Sequence, residues 1–250
     1  MWERGGQRMM MAGVAAATLC LAASSADPPP AAPVYEVASL KGKLMREDPE
    51  PEIELTVGAR PTAGELLRTG RRSRAEIVVQ EAGARFLLGP STRARLASRR
   101  PGVLLDVERG RLRAIFDKLA ADPPPERVVT TPSAVLAVRG TEYGVEVGRR
   151  GDTDVVVFEG VVEVRDAAGE GEWVRVQAGF HVRVRHGQLP GQPQPHRLDQ
   201  SAWDRGRRPP SARDPAAWGP GASAPGQGVG GRLPGARGAG STRGSGKHGG

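Results

Sequence analysis

The run Val128–Val147, VVTTPSAVLAVRGTEYGVEV, constrains the fold of this chain more than any other stretch. Valine, threonine and tyrosine dominate it. Such residues suit the pleated, half-buried surface of a sheet and pack poorly on a helix. Pro132 interrupts the run near its start, and Arg139-Gly140-Thr141 separates Val138 from Tyr143. A cation inside so apolar a segment needs an acceptor, because burying an unpaired charge is very costly. Gly140 permits a bend or a close backbone approach that a side chain would forbid. The expectation is a polar staple in an all-β core. Arg139 would pair with Glu159 at the next hairpin or with the nearer Glu142, and Arg139→Ala would then lower thermal stability markedly. The alternative use of Arg139 is an anion site for a carboxylate ligand or a partner's acidic tail.

The rest of the middle of the chain follows the same pattern. Strands are expected near Tyr35–Leu44, Ile53–Val57, Leu66–Thr69, Ala75–Val79, Ala84–Leu88, Ala94–Ala97, Val103–Val107, Leu112–Phe116, Val128–Thr131, Ala134–Val138, Glu142–Val147, Thr153–Phe158, Val161–Arg165, Trp173–Val176 and His181–Val184. Turn residues punctuate them, and Lys118–Arg127 (KLAADPPPER) reads as a surface loop, since its prolines cannot donate to a ladder. Val162 and Val164 should face inward against Val161, Glu163 and Arg165 outside, and Val155–Phe158 should be central. Two segments echo one another: Leu104–Arg113 and Asp154–Glu163 each read as a strand, a Glu-and-Gly reversal and a second strand. Many short strands imply a sandwich or jelly roll, with a β-solenoid as the alternative.

The flanks differ in composition. The chain has 250 residues, with Gly 35 and Pro 22 concentrated toward its ends. Residues 1–26 have the form of a secretory leader: Arg4 and Arg8, then the apolar run Met9–Ala23, then Ser24-Ser25-Ala26. That run falls short of the roughly 20 residues a spanning helix needs. Residues 27–33 (DPPPAAP) form an extended linker, 34–186 the β domain, and 187–250 a Gly/Pro/Arg-rich tail expected to be disordered, with a weak helical turn near Leu198–Trp203. Cys20 is the only cysteine and lies in the leader, so no disulfide framework is expected in the mature chain.

Signals for catalysis are thin. His181, His186, His196 and His248 are not clustered, and no H-E-x-x-H, phosphate-binding loop or G-x-S-x-G occurs. Ser91, Ser133 and Thr141 have no histidine partner in sequence. The reading is a chain with no enzymatic activity, no metal and no cofactor.

Several motifs, in order, resemble the FecR domain family: Gly64-Glu65-Leu66-Leu67-Arg68-Thr69-Gly70, Ser73-Arg74-Ala75-Glu76-Ile77, Leu88-Gly89-Pro90-Ser91-Thr92 and Glu108-Arg109-Gly110-Arg111-Leu112. The most specific are Thr131-Pro132-Ser133-Ala134 with Val138-Arg139-Gly140-Thr141-Glu142-Tyr143, then Phe158-Glu159-Gly160-Val161-Val162-Glu163-Val164. The resemblance implies a FecR-type β fold and a role in sensing or binding at a bacterial cell envelope. It singles out Thr131, Pro132, Arg139, Gly140, Thr141, Glu159 and Gly160 as structural or binding positions. The family's ferric-citrate regulator carries an anti-sigma segment and a transmembrane helix ahead of this domain. Neither pattern is visible here, so the expectation is an exported FecR-type module on its own, periplasmic or extracellular.

A formal net charge of +8 favours anionic partners. The expected partner is an envelope protein meeting an exposed sheet edge. The runner-up is a wall or surface-polymer scaffold, in which the tail arginines hold an anionic envelope polymer. Nucleic acid is disfavoured by export and by the lack of interleaved aromatics. If residues 1–26 are a leader, mass spectrometry of the exported chain will find its N-terminus at Asp27; an intact Met1 in the envelope fraction would refute the assignment.

Overall fold

The structure is a computed structural model that describes residues 32–97, 102–118 and 127–209. The expected leader, most of the linker and the tail from residue 210 onward lie outside the described residues. Among the described residues, no helix is long and apolar enough to cross a membrane.

The strands form two layers. The first runs, in spatial order, β1 (Glu36–Lys41), β5 (Arg74–Val79), β6 (Ala84–Leu88), the second half of β8 (Val103–Phe116), β11 (Glu142–Val147), β12 (Thr153–Glu159), β15 (Phe180–Val184) and β16 (Gln194–Pro195). The second runs β3 (Ile53–Leu55), β2 (Leu44–Asp48), β4 (Leu66–Thr69), β7 (Arg93–Leu96), the first half of β8, β9 (Val128–Thr130), β10 (Ala134–Val138), β13 (Val161–Asp166) and β14 (Val174–Gln177). Every pairing is antiparallel except β8 with β9.

One core lies between the layers. The inward residues of β10 and β13 are in register, Leu136 opposite Val164 and Val138 opposite Val162, and all four are buried. Across the gap they join Leu112, Tyr143, Val145, Val155, Val157 and Val182 in one buried cluster. The alternation read from the sequence is therefore present, and Val155, Val156 and Val157 are all buried in an interior strand. The Tyr35 hydroxyl reaches across the layers to donate to the Leu104 carbonyl at 2.6 Å.

Two expectations need correction. The first concerns the reversals at Gly110 and Gly160, which are not hairpins. Val103–Val107 and Leu112–Phe116 are one continuous strand, β8, whose first half pairs in one layer and whose second half pairs in the other. Likewise β12 and β13 flank Gly160 but belong to different layers and do not pair. Each glycine is a corner at which the chain passes between layers. A glycine with positive φ serves a corner as well as a hairpin, and only the neighbouring strands decide which forms. At Gly110 φ is +105, and a Cβ would lie 2.5 Å from the Thr92 Cα; at Gly160 φ is +78, and a Cβ would lie 2.8 Å from the Gly140 carbonyl oxygen. The expected strand Tyr35–Leu44 is split in the same way, at Gly42, into β1 and β2.

The corners reveal a duplication. The path β4, β5, β6, β7 and the two halves of β8 crosses layers at Gly70, Gly89 and Gly110. The path β10 to β15 crosses at Gly140, Gly160 and Gly179, about 70 residues further on in each case. The pairings correspond one to one: β5–β6 with β11–β12, β6–β8 with β12–β15, β4–β7 with β10–β13, and β7–β8 with β13–β14. The echo between Leu104–Arg113 and Asp154–Glu163 thus joined two corners of opposite sense.

The second correction is the boundary of the tail. Residues 187–209 are built into the domain. β16 adds to β15, and α1 (Gln200–Asp204) follows, with the Asp199 side chain accepting from the Ala202 N–H at 2.6 Å. The helical turn expected near Leu198–Trp203 is this element. It carries Trp203, 1% exposed, onto the outer face of the first layer over Gly144, where a Cβ would lie 2.4 Å from the indole. Arg111 stacks on that indole at 4.3 Å and donates to the Trp203 and Arg207 carbonyls. Arg208 and Arg111 both bond Glu146. Burial pulls the Glu146 carboxyl toward protonation, but those two guanidiniums outweigh it and hold it below its ordinary range.

Trp203→Ala removes a buried indole and frees this strap, so it will cost about 3–5 kcal/mol in urea unfolding. Gly160→Val, which forces a side chain against the Gly140 carbonyl at positive φ, will cost about 2–5 kcal/mol.

Candidate functional site

The second layer turns an outward face to solvent across β10, β13 and β14. Ala137, Glu163 and Arg175 form one cross-strand row on it. A cavity of about 820 Å³ opens on this face, lined by Lys118, Arg127, Ala137, Val138, Arg139, Gly140, Gly160, Val161, Glu163, Trp173 and Arg175. The Gly140 and Gly160 corners meet at its mouth. Gly140 has φ +59, and a Cβ there would strike the Lys118 side chain at 2.5 Å, so Lys118 lies against the glycine. The Thr141 methyl sits 2.8 Å from the Cβ position of Gly160, while its carbonyl accepts from the Phe116 N–H at 2.9 Å.

Arg139 is not the buried staple that its surroundings in the sequence imply. It is exposed and makes no ion pair with any described residue. Glu142, one expected acceptor, is bonded by Arg113 at 2.7 Å. Glu159, the other, is exposed opposite Glu142 in the register. Val138 is the last inward residue of β10, and the chain then turns the corner, so Arg139 points out of the core.

The buried cation is Arg127, read from sequence as the end of a surface loop and in fact 3% exposed. Its guanidinium donates to the Asp117 carbonyl at 2.8 Å and the Ala82 carbonyl at 3.2 Å, and lies 5.3 Å from the Phe116 ring. Burial lowers its pKa, opposed by Asp117 and Tyr143. Phe116 in turn stacks on Tyr143 at 6.1 Å, and burial pushes the Tyr143 hydroxyl upward. The only signal for Arg127 in the sequence is a charge set directly against the apolar run that starts at Val128.

Thr131 and Pro132 lie at the opposite end of β10, away from the cavity. They form the β9–β10 turn, in which Ala134 N–H donates to the Thr131 hydroxyl at 2.9 Å. The Thr131 and Thr153 hydroxyls are 2.8 Å apart, and the Ser133 hydroxyl lies 2.7 Å from that of Thr153 and donates to the Val184 carbonyl at 3.1 Å. The three hydroxyls bridge the layers where no apolar side chain could satisfy the turn. Ser133, Asp166 and His186 line one pocket of about 370 Å³. Yet the Ser133 hydroxyl is spent as described, and Asp166 accepts the Glu170 and Gly171 N–H groups at 3.1 and 2.8 Å. His181 is 7% exposed, and burial lowers its pKa to about 4. Among the described residues no group of three or more His, Cys, Asp or Glu side chains is placed to hold a metal.

Comparison with known proteins gives the following. Residues 65–163 match the family described as FecR protein. No curated protein matches the chain. Two crystal structures of a "putative anti-sigma factor" from Parabacteroides distasonis, at 2.50 and 1.65 Å resolution, align with 18% identity and a TM-score of 0.44. The alignment covers 56% of this chain and 64–65% of theirs, so this chain spans less than two thirds of their length.

The two arginines separate cleanly by experiment. Arg127→Met removes a buried guanidinium and strips two partly buried carbonyls of their donor, and will lower stability by about 1–3 kcal/mol. Arg139→Ala, at an exposed corner, will change it by no more than about 0.5 kcal/mol in the same urea titration.

Proposed function

Residues 65–163 are a FecR domain, and on that footing we propose that this chain is a non-catalytic sensing or regulatory module of the cell envelope that works by binding another envelope protein. The observation that carries the binding mode is the open edge of the second layer. Among the described residues β14 pairs only with β13, leaving the other side of Val174–Gln177 without a strand. Trp173, 39% exposed, immediately precedes that edge strand. A partner strand added there gains main-chain hydrogen bonds from a preformed ladder. The commitment of Ser133, Asp166 and Thr153 to internal hydrogen bonds supports the non-catalytic reading.

The competing polymer-scaffold reading places the activity in the tail. One arginine after the helix works against it, since Arg208 pairs with Glu146 on the domain itself. The leader-like residues 1–26 support a place for the module outside the cytoplasm.

Immobilised chains 27–250 and 27–209, exposed to solubilised envelope proteins, test this directly. We expect both to retain the same protein in stoichiometric amount. Retention by the longer chain alone would overturn the edge-binding reading in favour of the tail.

A further inference from the structure

The outward cavity of the second layer carries cations that the fold does not spend on buried contacts. Lys118, Arg139 and Arg175 line it with the buried Arg127 behind them, against one carboxylate among the described residues, that of Glu163. Glu163 reaches Arg175 only at 3.7 Å, and both side chains are about half exposed or more. Arg139 has no carboxylate partner among the described residues, and the buried Arg127 gives its hydrogen bonds to carbonyls. Its Nε is buried with no partner. Trp173 stands at the rim, its indole backed by the Arg165 guanidinium at 4.6 Å. Three exposed cations around an apolar floor with one aromatic plane at the side form a receptor for an anion that also has a flat, weakly polar face.

The backbone decides between the polymers that could supply such an anion. The floor strands β10 and β13 are paired on both sides. They offer no free N–H or C=O to an extended acidic peptide, whose own amides would go unpaired in the cavity. A carboxylate-bearing sugar needs only what is present. Its ring face lies on an indole, and its carboxylates take bidentate donation from guanidiniums. We propose that the cavity bounded by Arg139, Arg175 and Trp173 binds an acidic polysaccharide of the uronic-acid type. The site is on the face of the sheet and shares Trp173 with the β14 edge assigned to a protein partner, but Arg139 lies at the Gly140 corner away from β14, so Arg139→Ala separates the two readings.

The test uses the full mature chain, residues 27–250, titrated by calorimetry with a hexamer of galacturonic acid, a neutral dextran oligomer and a hexaglutamate peptide. Arg139→Ala, Arg175→Ala and Trp173→Ala alter exposed or half-exposed positions, and each is checked for an unchanged melting temperature. We expect the galacturonate hexamer to bind, weakening as salt rises, with at least a tenfold loss in each variant and no binding of dextran. Three results would overturn the proposal. One is no binding of the uronate by the unaltered chain. Another is equal binding by all three variants, which would assign the polyanion to the tail arginines. The last is hexaglutamate binding as tightly as the sugar, which would make the cavity a peptide site.

Discussion

Close approach of backbone to backbone at the layer corners is the constraint on which the rest of this structure depends. At two of these corners the strand leaving one layer for the other passes its neighbour's backbone at a distance a side chain would not allow. At Gly160 the obstacle is the Gly140 carbonyl oxygen, 2.8 Å from the position a Cβ would take, and at Gly110 it is Thr92. Hydrogen bonds tie the same corners together: Ser91 N–H to the Gly70 carbonyl, Gly89 N–H to the Arg111 carbonyl, Ala178 N–H to the Gly160 carbonyl. Corners so fixed set which residues of the next strand face inward, because the side-chain period of a strand is two.

The duplicated path follows from that geometry. Two sets of three corners generate two equivalent strand networks, and β8 with β11 joins them in the first layer while β9 joins them in the second. The corresponding corner positions are not chemically equivalent, and there the copies diverge in use. In the first copy Thr69, before Gly70, is buried and donates to the Gly89 carbonyl at 2.6 Å. In the second the residue before Gly140 is Arg139, which turns outward and leaves the corner to Thr141 packed on Gly160. A position used in one copy to close the fold is released in the other to face solvent.

Charge is partitioned between the faces in a related way. On the part of the first layer under the C-terminal strap the cations are matched: Arg111 and Arg208 with Glu146, Arg113 with Glu142 and Asp204, Arg183 with Asp154. The C-terminal strap and Trp203 then cover much of that set. Around the β10–β13–β14 cavity the cations outnumber the one carboxylate among the described residues. The positive charge of the described surface is therefore not spread evenly. It leaves an unmatched cluster on the second layer, where a field of one sign can act on a ligand.

The amino-acid sequence by itself determined the strands and their inward faces, because alternation and β-branching act over a few neighbouring residues. Val162 and Val164 against Glu163 and Arg165 need no knowledge of the rest of the chain. It also singled out the segments around Gly140 and Gly160, through motifs that resemble FecR domains, but tied them by an Arg139 ion pair that does not form. Tertiary structure alone decided that Gly110 and Gly160 are corners, since one positive-φ glycine serves either a corner or a hairpin and the choice lies with distant partner strands. It alone decided that Arg127 is buried and Arg139 exposed: both border the same apolar run, and what separates them is whether carbonyls from other turns close over the guanidinium. Trp203, set in a polar, proline-rich segment, became a core residue only because Gly144 left room for it on a sheet formed far earlier in the chain.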